Sequence, residues 1–118
     1  MPTRDEHIEQ ITRNKELLNT EVLHPSITKY VEWSITIMFY TAVHLIEYNL
    51  APNYHSKNHN DREKVMYKNS SFKRIFQDYK ALKATCWSAR YMCGGRSRED
   101  AVTCMQHLDK IERELKPA

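Results

Sequence analysis

Residues 33–50, WSITIMFYTAVHLIEYNL, decide the fold of this chain because they form a helical pattern with apolar side chains on nearly every side. At 100° per residue, large apolar residues fall on one stripe of this helix and on the opposite side as well. Both faces must therefore find partners, which predicts the centre of a helical bundle. His44 lies inside this segment, either as a buried structural residue or as part of a site.

The same segment is not expected to span a membrane. Acidic residues and Asn49 bound it, and hydroxyl side chains and His44 interrupt it. No clean run therefore reaches the length of about 18 apolar residues that indicates a membrane helix. The first residues also lack the basic and apolar regions of a secretory signal. We expect a cytoplasmic protein with no membrane partner.

Length and composition favour an all-α fold. The chain has 118 residues, of which 41% are hydrophobic, and this is sufficient for a single core. Its two glycines are adjacent at 94 and 95, and its four prolines stand at 2, 25, 52 and 117, where helices are expected to end. We expect residues 1–118 to form one domain, a four- to five-helix bundle around a long, fully buried central helix.

Capping residues and apolar spacing predict the helix boundaries. The helices are expected at 3–22, 27–50, 60–67, 70–93 and 97–115, with Thr3, Ser26, Asn60, Ser70 or Ser71, and Ser97 as N-terminal caps. Residues 51–58 are expected to form a loop. Cys86, Cys93 and Cys104 are an odd number on predicted helices, which favours free thiols in a reducing compartment over a disulfide framework or a catalytic cysteine.

Charge is segregated along the chain although the total is only +3. Residues 1–56 carry a net charge of −3, residues 57–98 a net charge of +8, and residues 99–118 a net charge of −2. The basic middle suits RNA, DNA or a nucleotide phosphate, but it equally suits a solvated face that pairs with the acidic terminal helices. The candidate contacts are Lys57, Lys64, Lys68, Lys73, Arg74, Lys80 and Lys83.

Arg90 falls on the apolar stripe of the predicted fourth helix, which requires an acceptor for its guanidinium. That acceptor could be a carboxylate such as Glu47, a set of helix C-terminal carbonyls, or a bound phosphate. His59 and Arg62 are three residues apart at the start of the predicted third helix, where free N–H groups favour an anion. Together with His44, these residues would supply the acid, the base and the phosphate ligands of metal-independent RNA cleavage.

Each of these signals has a structural alternative. A lone histidine on an apolar stripe, such as His44, is typically a hydrogen-bonded core residue. His55 and His59 have metal-like spacing, but histidines in a polar loop are mostly exposed, and we expect neither a metal nor another cofactor. Tyr40 and Tyr91 are candidate substrate contacts, although tyrosines at helical spacing are usually core residues.

Three segments resemble the small, all-helical HEPN domains of prokaryotes: FYTAVHLIEYNLA (39–51), HSKNHNDR (55–62) and YKALKATCWSARY (79–91). The resemblance covers residues 27–115. Its most specific elements are Tyr40-x-x-x-His44, His59-x-x-Arg62 and Ser88-Ala89-Arg90-Tyr91. It implies a bundle that commonly dimerises, with many members acting as metal-independent ribonucleases in toxin–antitoxin or other defence systems and others binding nucleotides or serving as non-catalytic partners.

The chain departs from the ribonuclease members of that family in one respect. Those members carry an arginine followed, after four to six residues, by a histidine in the same helix. No arginine of this chain has a histidine at that spacing, so the family's catalytic pair cannot be transferred to it.

The function expected from the sequence is that of an RNA- or nucleotide-binding HEPN-like protein, with metal-independent endoribonuclease activity as the sharper hypothesis. In that hypothesis Arg62 and Arg90 hold the phosphate, and His44 and His59 share the acid–base work. Lys57 and Lys83 would steer the polyanion. The expected partners are a second copy of the chain and a cognate antitoxin or a protein from a neighbouring gene. The alternatives are a non-catalytic partner-interaction module or a small nucleotide-binding regulator.

Overall fold

The computed structural model describes residues 2–91 and 97–115, and these residues form an all-helical protein. The α-helices are α1 (Arg4–Leu18), α2 (Val31–Leu50), α3 (His59–Lys68), α4 (Phe76–Tyr91) and α5 (Arg98–Glu114), with a 3₁₀ turn at Ser70–Phe72. The expected fold class is thus confirmed as all-α. The predicted stop at Gly94-Gly95 lies outside the described residues.

The α1 helix begins as predicted and ends earlier than predicted. The hydroxyl of Thr3 accepts a hydrogen bond from the Glu6 amide, and the Glu6 carboxylate accepts one from the Thr3 amide. This reciprocal pair is the predicted capping box. The helix ends at Leu18, and Val22 lies exposed in the turns that follow.

The α2 helix begins at Val31, four residues later than predicted, because Ser26 has another role. The amide and the hydroxyl of Ser26 both bond to Nδ1 of His24 within the connecting turns. The N-cap of α2 is Tyr30, which makes no side-chain capping bond. The expectation of a fully buried central helix is not confirmed either, since Trp33 is 60% exposed.

The third and fourth helices also differ from the prediction at their starts. Asn58, not Asn60, caps α3 by accepting a hydrogen bond from the Asp61 amide. Ser70 and Ser71 form the 3₁₀ turn, and α4 begins only at Phe76. Residues 51–58 contain no helix, in agreement with the predicted loop.

The predicted inward stripes of the last two helices are largely confirmed. Phe72, Ile75, Tyr79, Leu82 and Cys86 are buried around α4, as are Ala101, Cys104, Leu108, Ile111 and Leu115 around α5. Phe76 and Met105 pack against this core at its edge. Ser97 and Asp100 form the predicted capping box of α5. Cys93 lies outside the described residues.

The α2 helix is the hub of the molecule. It packs against α1, α4 and α5, and α4 and α5 also pack against each other. The α1 helix has its extensive contact with α2, and α3 packs against the 3₁₀ turn. Within the described part of the chain, no helix combines the length and the apolar character that a bilayer crossing requires.

Candidate functional site

A polar cluster lies inside the bundle, and it begins with two histidines from different helices. The ring of His7 on α1 is hydrogen-bonded to that of His44 on α2, with 3.0 Å between the two Nδ1 atoms. His7 is 2% exposed and His44 is half-buried. In this bond one Nδ1 donates its hydrogen and the other Nδ1 accepts it. If both Nδ1 atoms carry a hydrogen, the bond breaks. The ring of His55 stacks on that of His7 at a centroid distance of 6.1 Å.

Glu47 and Arg62 form an ion pair at the centre of this cluster. Arg62 Nε donates to Glu47 Oε1 at 3.2 Å, and the exposed fractions of the two side chains are 9% and 3%. The other carboxylate oxygen of Glu47 accepts a hydrogen bond from the amide of Ser56. The ion pair therefore fixes α3 and the preceding loop against α2.

Arg62 also determines the tautomer of His59. Its Nη1 donates to His59 Nδ1 at 2.8 Å and lies 3.4 Å from the hydroxyl of Tyr79. An arginine can only donate, so His59 Nδ1 accepts and the neutral ring carries its hydrogen on Nε2. His59 is itself exposed. Its Nε2–H is thus a hydrogen-bond donor on the accessible side of the cluster.

The cluster favours the neutral form of its histidines. Burial lowers the pKa of His44, and the nearby His7 and Arg62 lower it further while Glu47 opposes them. Burial also lowers the pKa of His59, with Arg62 and Lys83 acting in the same direction. The pKa of His7 is lowered by burial and raised in part by Glu47. All three imidazoles therefore favour the uncharged state at neutral pH.

Arg90 does not point into the core as its helical position predicted. The residue is exposed, and its guanidinium extends from the end of α4 along the surface. Nη1 donates to the hydroxyl of Tyr40 at 3.0 Å, and Nη2 donates to that of Tyr91 at 3.1 Å. Glu47, which was one of the three kinds of acceptor considered for Arg90, pairs with Arg62 instead. The two phenols satisfy part of the guanidinium without neutralising its charge.

Several other cations of the basic segment pair with carboxylates, and Arg90 differs from them. Lys80 and Lys83 both pair with Glu63, and Arg74 lies 4.0 Å from Glu114. Within residues 2–91 and 97–115, no carboxylate oxygen lies within 4.0 Å of Arg90. Lys57 is exposed at the loop before α3. Part of the predicted basic surface is thus compensated within the protein, and Arg90 retains a charge for an external anion.

The metal-like spacing of His55 and His59 does not bring these residues to a common site. His55 stacks on His7, whereas His59 bonds to Arg62 and lies beside Phe39. No group of three or more His, Cys, Asp or Glu side chains in the described part of the chain has metal-binding geometry. Burial raises the pKa of the Cys104 thiol to about 11, which makes it a poor nucleophile.

An open groove lies apart from these residues, between α1 and α5. Its volume is about 840 Å³, and Met38 and Leu45 of α2 form part of its apolar lining. Lys15 of α1 and Glu112 of α5 line it and form an ion pair at 2.6 Å. None of the predicted site residues lines this groove.

One member of the polar cluster, His7, was missed in the sequence, and a second, Glu47, was assigned to another partner. His7 belongs to a charged, exposed-looking helix, and no local pattern indicates that its ring is buried against His44. Glu47 was named as a potential acceptor, but for the wrong arginine. The spacing of His59 and Arg62 did place these two side chains together, because residues three apart share a helix face.

The fold and the cluster define the protein as a helical bundle with a buried histidine pair, a buried ion pair and a surface arginine held by two phenols. Comparisons with family models, with curated proteins and with solved structures found no significant match to this chain.

Proposed function

We propose that this protein binds RNA or a nucleotide through a phosphate site at the α3 and α4 surface. The observation that supports this proposal most directly is the exposed guanidinium of Arg90, which Tyr40 and Tyr91 orient while no carboxylate of the described residues neutralises it. A fixed, planar and uncompensated guanidinium is suited to a phosphate. Orienting it in advance also lowers the entropic cost of binding.

His59 adds a neutral donor to this site. Tyr40, which holds Arg90, directly follows Phe39, and the ring centroid of Phe39 lies 5.7 Å from that of His59, so Arg90 and His59 lie in one region of the molecule. The Nε2–H of His59 faces away from Arg62 and suits a phosphate oxygen. In this proposal Lys57 and Lys83 attract the polyanion. Lys83 shares the single carboxylate of Glu63 with Lys80, so these three groups keep one positive charge.

Arg62 has a different role in this proposal from that of Arg90. Its charge is already compensated by Glu47, and its side chain is almost fully buried. It therefore positions His59, whereas Arg90 contacts the phosphate. The HEPN-like class, the homodimer and the setting in defence or toxin–antitoxin systems, with an antitoxin or neighbouring-gene partner, rest on the resemblance of the three sequence segments and belong to the same proposal.

The proposal is tested by the affinity for a labelled single-stranded RNA at several salt concentrations. The logarithm of the association constant should fall steeply with the logarithm of the salt concentration, since each phosphate contact on a single strand contributes about −0.7 to the slope. Replacing Arg90 by alanine should weaken binding and reduce that slope by about one contact. Arg13→Ala on α1 is the control, because it removes an exposed arginine outside the basic segment. Failure of the wild-type protein to bind RNA or a nucleotide at low salt would contradict the proposal.

Ribonuclease activity is the second candidate, and the position of Arg62 favours it. Arg62 bonds to His59 and to Glu47, and Glu47 lies three residues from His44 on α2, so two imidazoles whose pKa values are lowered lie around one arginine. Metal-independent cleavage would give 2′,3′-cyclic ends in the presence of EDTA, and His44→Ala together with His59→Ala should remove it. RNA that binds but stays intact would favour the binding function without catalysis.

The alternative without nucleic acid is a partner-interaction module, and salt dependence distinguishes the two. An apolar protein interface should be nearly indifferent to salt between low and physiological concentrations, unlike phosphate contacts. A nucleotide-binding regulator would show a saturable increase in Tm with added nucleotide and no cleavage of RNA.

A further inference from the structure

Two aromatic rings are exposed on α4 beside the proposed phosphate site. Trp87 is 59% exposed and Tyr91 is 57% exposed, and their ring centroids lie 5.3 Å apart. With Lys80 and Ala84 they form one stripe of α4, all of which is exposed. A large aromatic ring on the solvent stripe of a helix does not contribute to the core, and tryptophan is unusual there.

Arg90 connects this pair to the phosphate site. Its guanidinium carbon lies 5.1 Å from the centroid of the Tyr91 ring, and Tyr91 contacts Trp87 in turn. Two accessible rings and a cation that no carboxylate of residues 2–91 and 97–115 pairs with thus lie within one turn of α4. This combination is what single-stranded nucleic acids bind, because the cation takes the phosphate while a ring stacks on a base.

We propose that Trp87 is a base-stacking residue for an unpaired RNA nucleotide whose phosphate is held by Arg90. The inference rests on the proposed function and adds its substrate class, a single strand with an accessible base. Charge complementarity favours this occupant over a second copy of the chain, since the surface around the rings belongs to the basic segment of residues 57–98, with a net charge of +8. In a duplex the faces of each base are covered by the base pairs stacked above and below it, so duplex RNA should bind more weakly at this site.

The chain provides a matched control for Trp87. Trp33, in the first turn of α2, is 60% exposed, and no described arginine lies over its ring. Trp87→Ala and Trp33→Ala therefore remove the same side chain at the same exposure. Far-ultraviolet circular dichroism and the Tm of both variants should match those of the wild-type protein, because neither ring is buried.

The test compares two labelled probes of equal length and charge, a single-stranded oligoadenylate and an abasic ribose-phosphate oligomer. Fluorescence anisotropy of the wild-type protein should show tighter binding of the oligoadenylate. Trp87→Ala should weaken binding of the oligoadenylate by roughly 5- to 160-fold, the range expected for the loss of one stacked base. It should leave binding of the abasic probe unchanged. Trp87→Phe should retain a large part of the affinity, and Trp33→Ala should change neither probe.

The outcomes separate this inference from the proposed function. If the wild-type protein binds both probes and Trp87→Ala changes neither of them, or weakens both alike, stacking by Trp87 is wrong and phosphate binding stands. If Trp87→Ala instead converts a dimer into a monomer without changing RNA affinity, the rings form an interface between copies and the inference is overturned. If the wild-type protein binds neither probe at low salt, the proposed function fails, and this inference fails with it.

Discussion

Glu47 organises the polar cluster at the scale of single residues. One of its oxygens accepts from Arg62 and the other accepts from the Ser56 amide, so one carboxylate joins three segments of the chain. The pair is almost fully removed from solvent, where a lost partner leaves an uncompensated charge. We therefore expect substitution of Arg62 to lower the free energy of unfolding, whether or not the residue also contributes to chemistry.

Arg62→Met should lower the free energy of unfolding by about 3–5 kcal/mol, because it leaves Glu47 buried and unpaired. Urea denaturation measures this loss. Adding Glu47→Gln to the same protein should restore a large part of it, since the second substitution removes the orphaned charge. Lys15→Ala breaks an ion pair whose lysine is 46% exposed and should cost less than about 1 kcal/mol. Equal losses for Arg62→Met and Lys15→Ala would contradict the role given to the buried pair.

Because of its histidines, the free energy of unfolding of the protein should decrease as the pH falls. The pKa values of His7, His44 and His59 are lowered in the folded protein from the ordinary value of 6.5, mainly by burial. Below that value the unfolded chain binds more protons than the folded one, so stability is complete above about pH 6.5 and decreases as the pH falls. The slope is at most about 1.4 kcal/mol per pH unit for each histidine.

Unfolding free energies at pH 7, 6 and 5 measure this slope, and His7→Gln should reduce it. Glutamine at this position does not titrate, and it also removes the neighbour that lowers the pKa of His44. Parallel profiles for His7→Gln and the wild-type protein would show that the buried pair does not determine the pH dependence.

The sequence was more informative about neighbours in one helix than about partners from different helices. His59 and Arg62 could be placed together because α-helical geometry relates residues three apart. The His7–His44 bond spans 37 residues and the Glu47–Arg62 pair spans 15, so both depend on how helices pack. Arg90 shows a related limit of sequence-based prediction. Its helical position indicated which face of α4 it belongs to, but not that its long side chain extends along the surface.

At the scale of the helices, the start of a helix could be predicted correctly if its capping contacts are reciprocal. The boxes at Thr3 and Ser97 each use two hydrogen bonds over three residues, and both are present. Ser26 and Asn60 failed as predicted caps because neighbouring groups compete. Ser26 bonds to His24, and Asn58 takes the capping position two residues before Asn60.

Thr3→Ala should lower the free energy of unfolding by about 1 kcal/mol, since it removes the side chain that satisfies the Glu6 amide. Thr12→Ala is the matched substitution inside the same helix. Thr12 donates to the Ile8 carbonyl and is exposed, so alanine there should be neutral or slightly stabilising. In thermal or urea unfolding, Thr3→Ala should therefore lower the stability and Thr12→Ala should not. Equal destabilisation by the two substitutions would argue against the cap.

The distribution of charge and apolar surface belongs to the scale of the whole molecule. Among the described residues, a base of the middle segment approaches an acid of a terminal segment where Arg74 lies 4.0 Å from Glu114, whereas Lys15 and Glu112 pair the two terminal segments with each other. Several large apolar side chains stay exposed in and beside the connection between α1 and α2: Leu17, Val22, Ile27, Tyr30 and Trp33. Exposed apolar surface of this kind is typical of interfaces between subunits.

If the proposed homodimer uses this connection, the wild-type protein should have twice the 14.1 kDa mass of the chain by light scattering. Val22→Asp together with Ile27→Asp should give a monomer, because charges would be buried at a self-complementary surface. Both residues are exposed in the isolated chain, so the fold should be retained. A wild-type mass of 14.1 kDa at high protein concentration would contradict the dimer.

The arrangement of α1 has a consequence for how the molecule opens. This helix packs on α2, its ion pair to α5 lies in the lining of an open groove, and its bond to His44 needs one of the two Nδ1 atoms to be without a proton. It can therefore detach as a separate cooperative unit while α2, α4 and α5 stay assembled. Amide hydrogen exchange should release α1 before α2, and acid should widen the gap between them. The helix α1 is thus held to the bundle in part by a bond that needs one Nδ1 without a proton, and acid that protonates both imidazoles removes it.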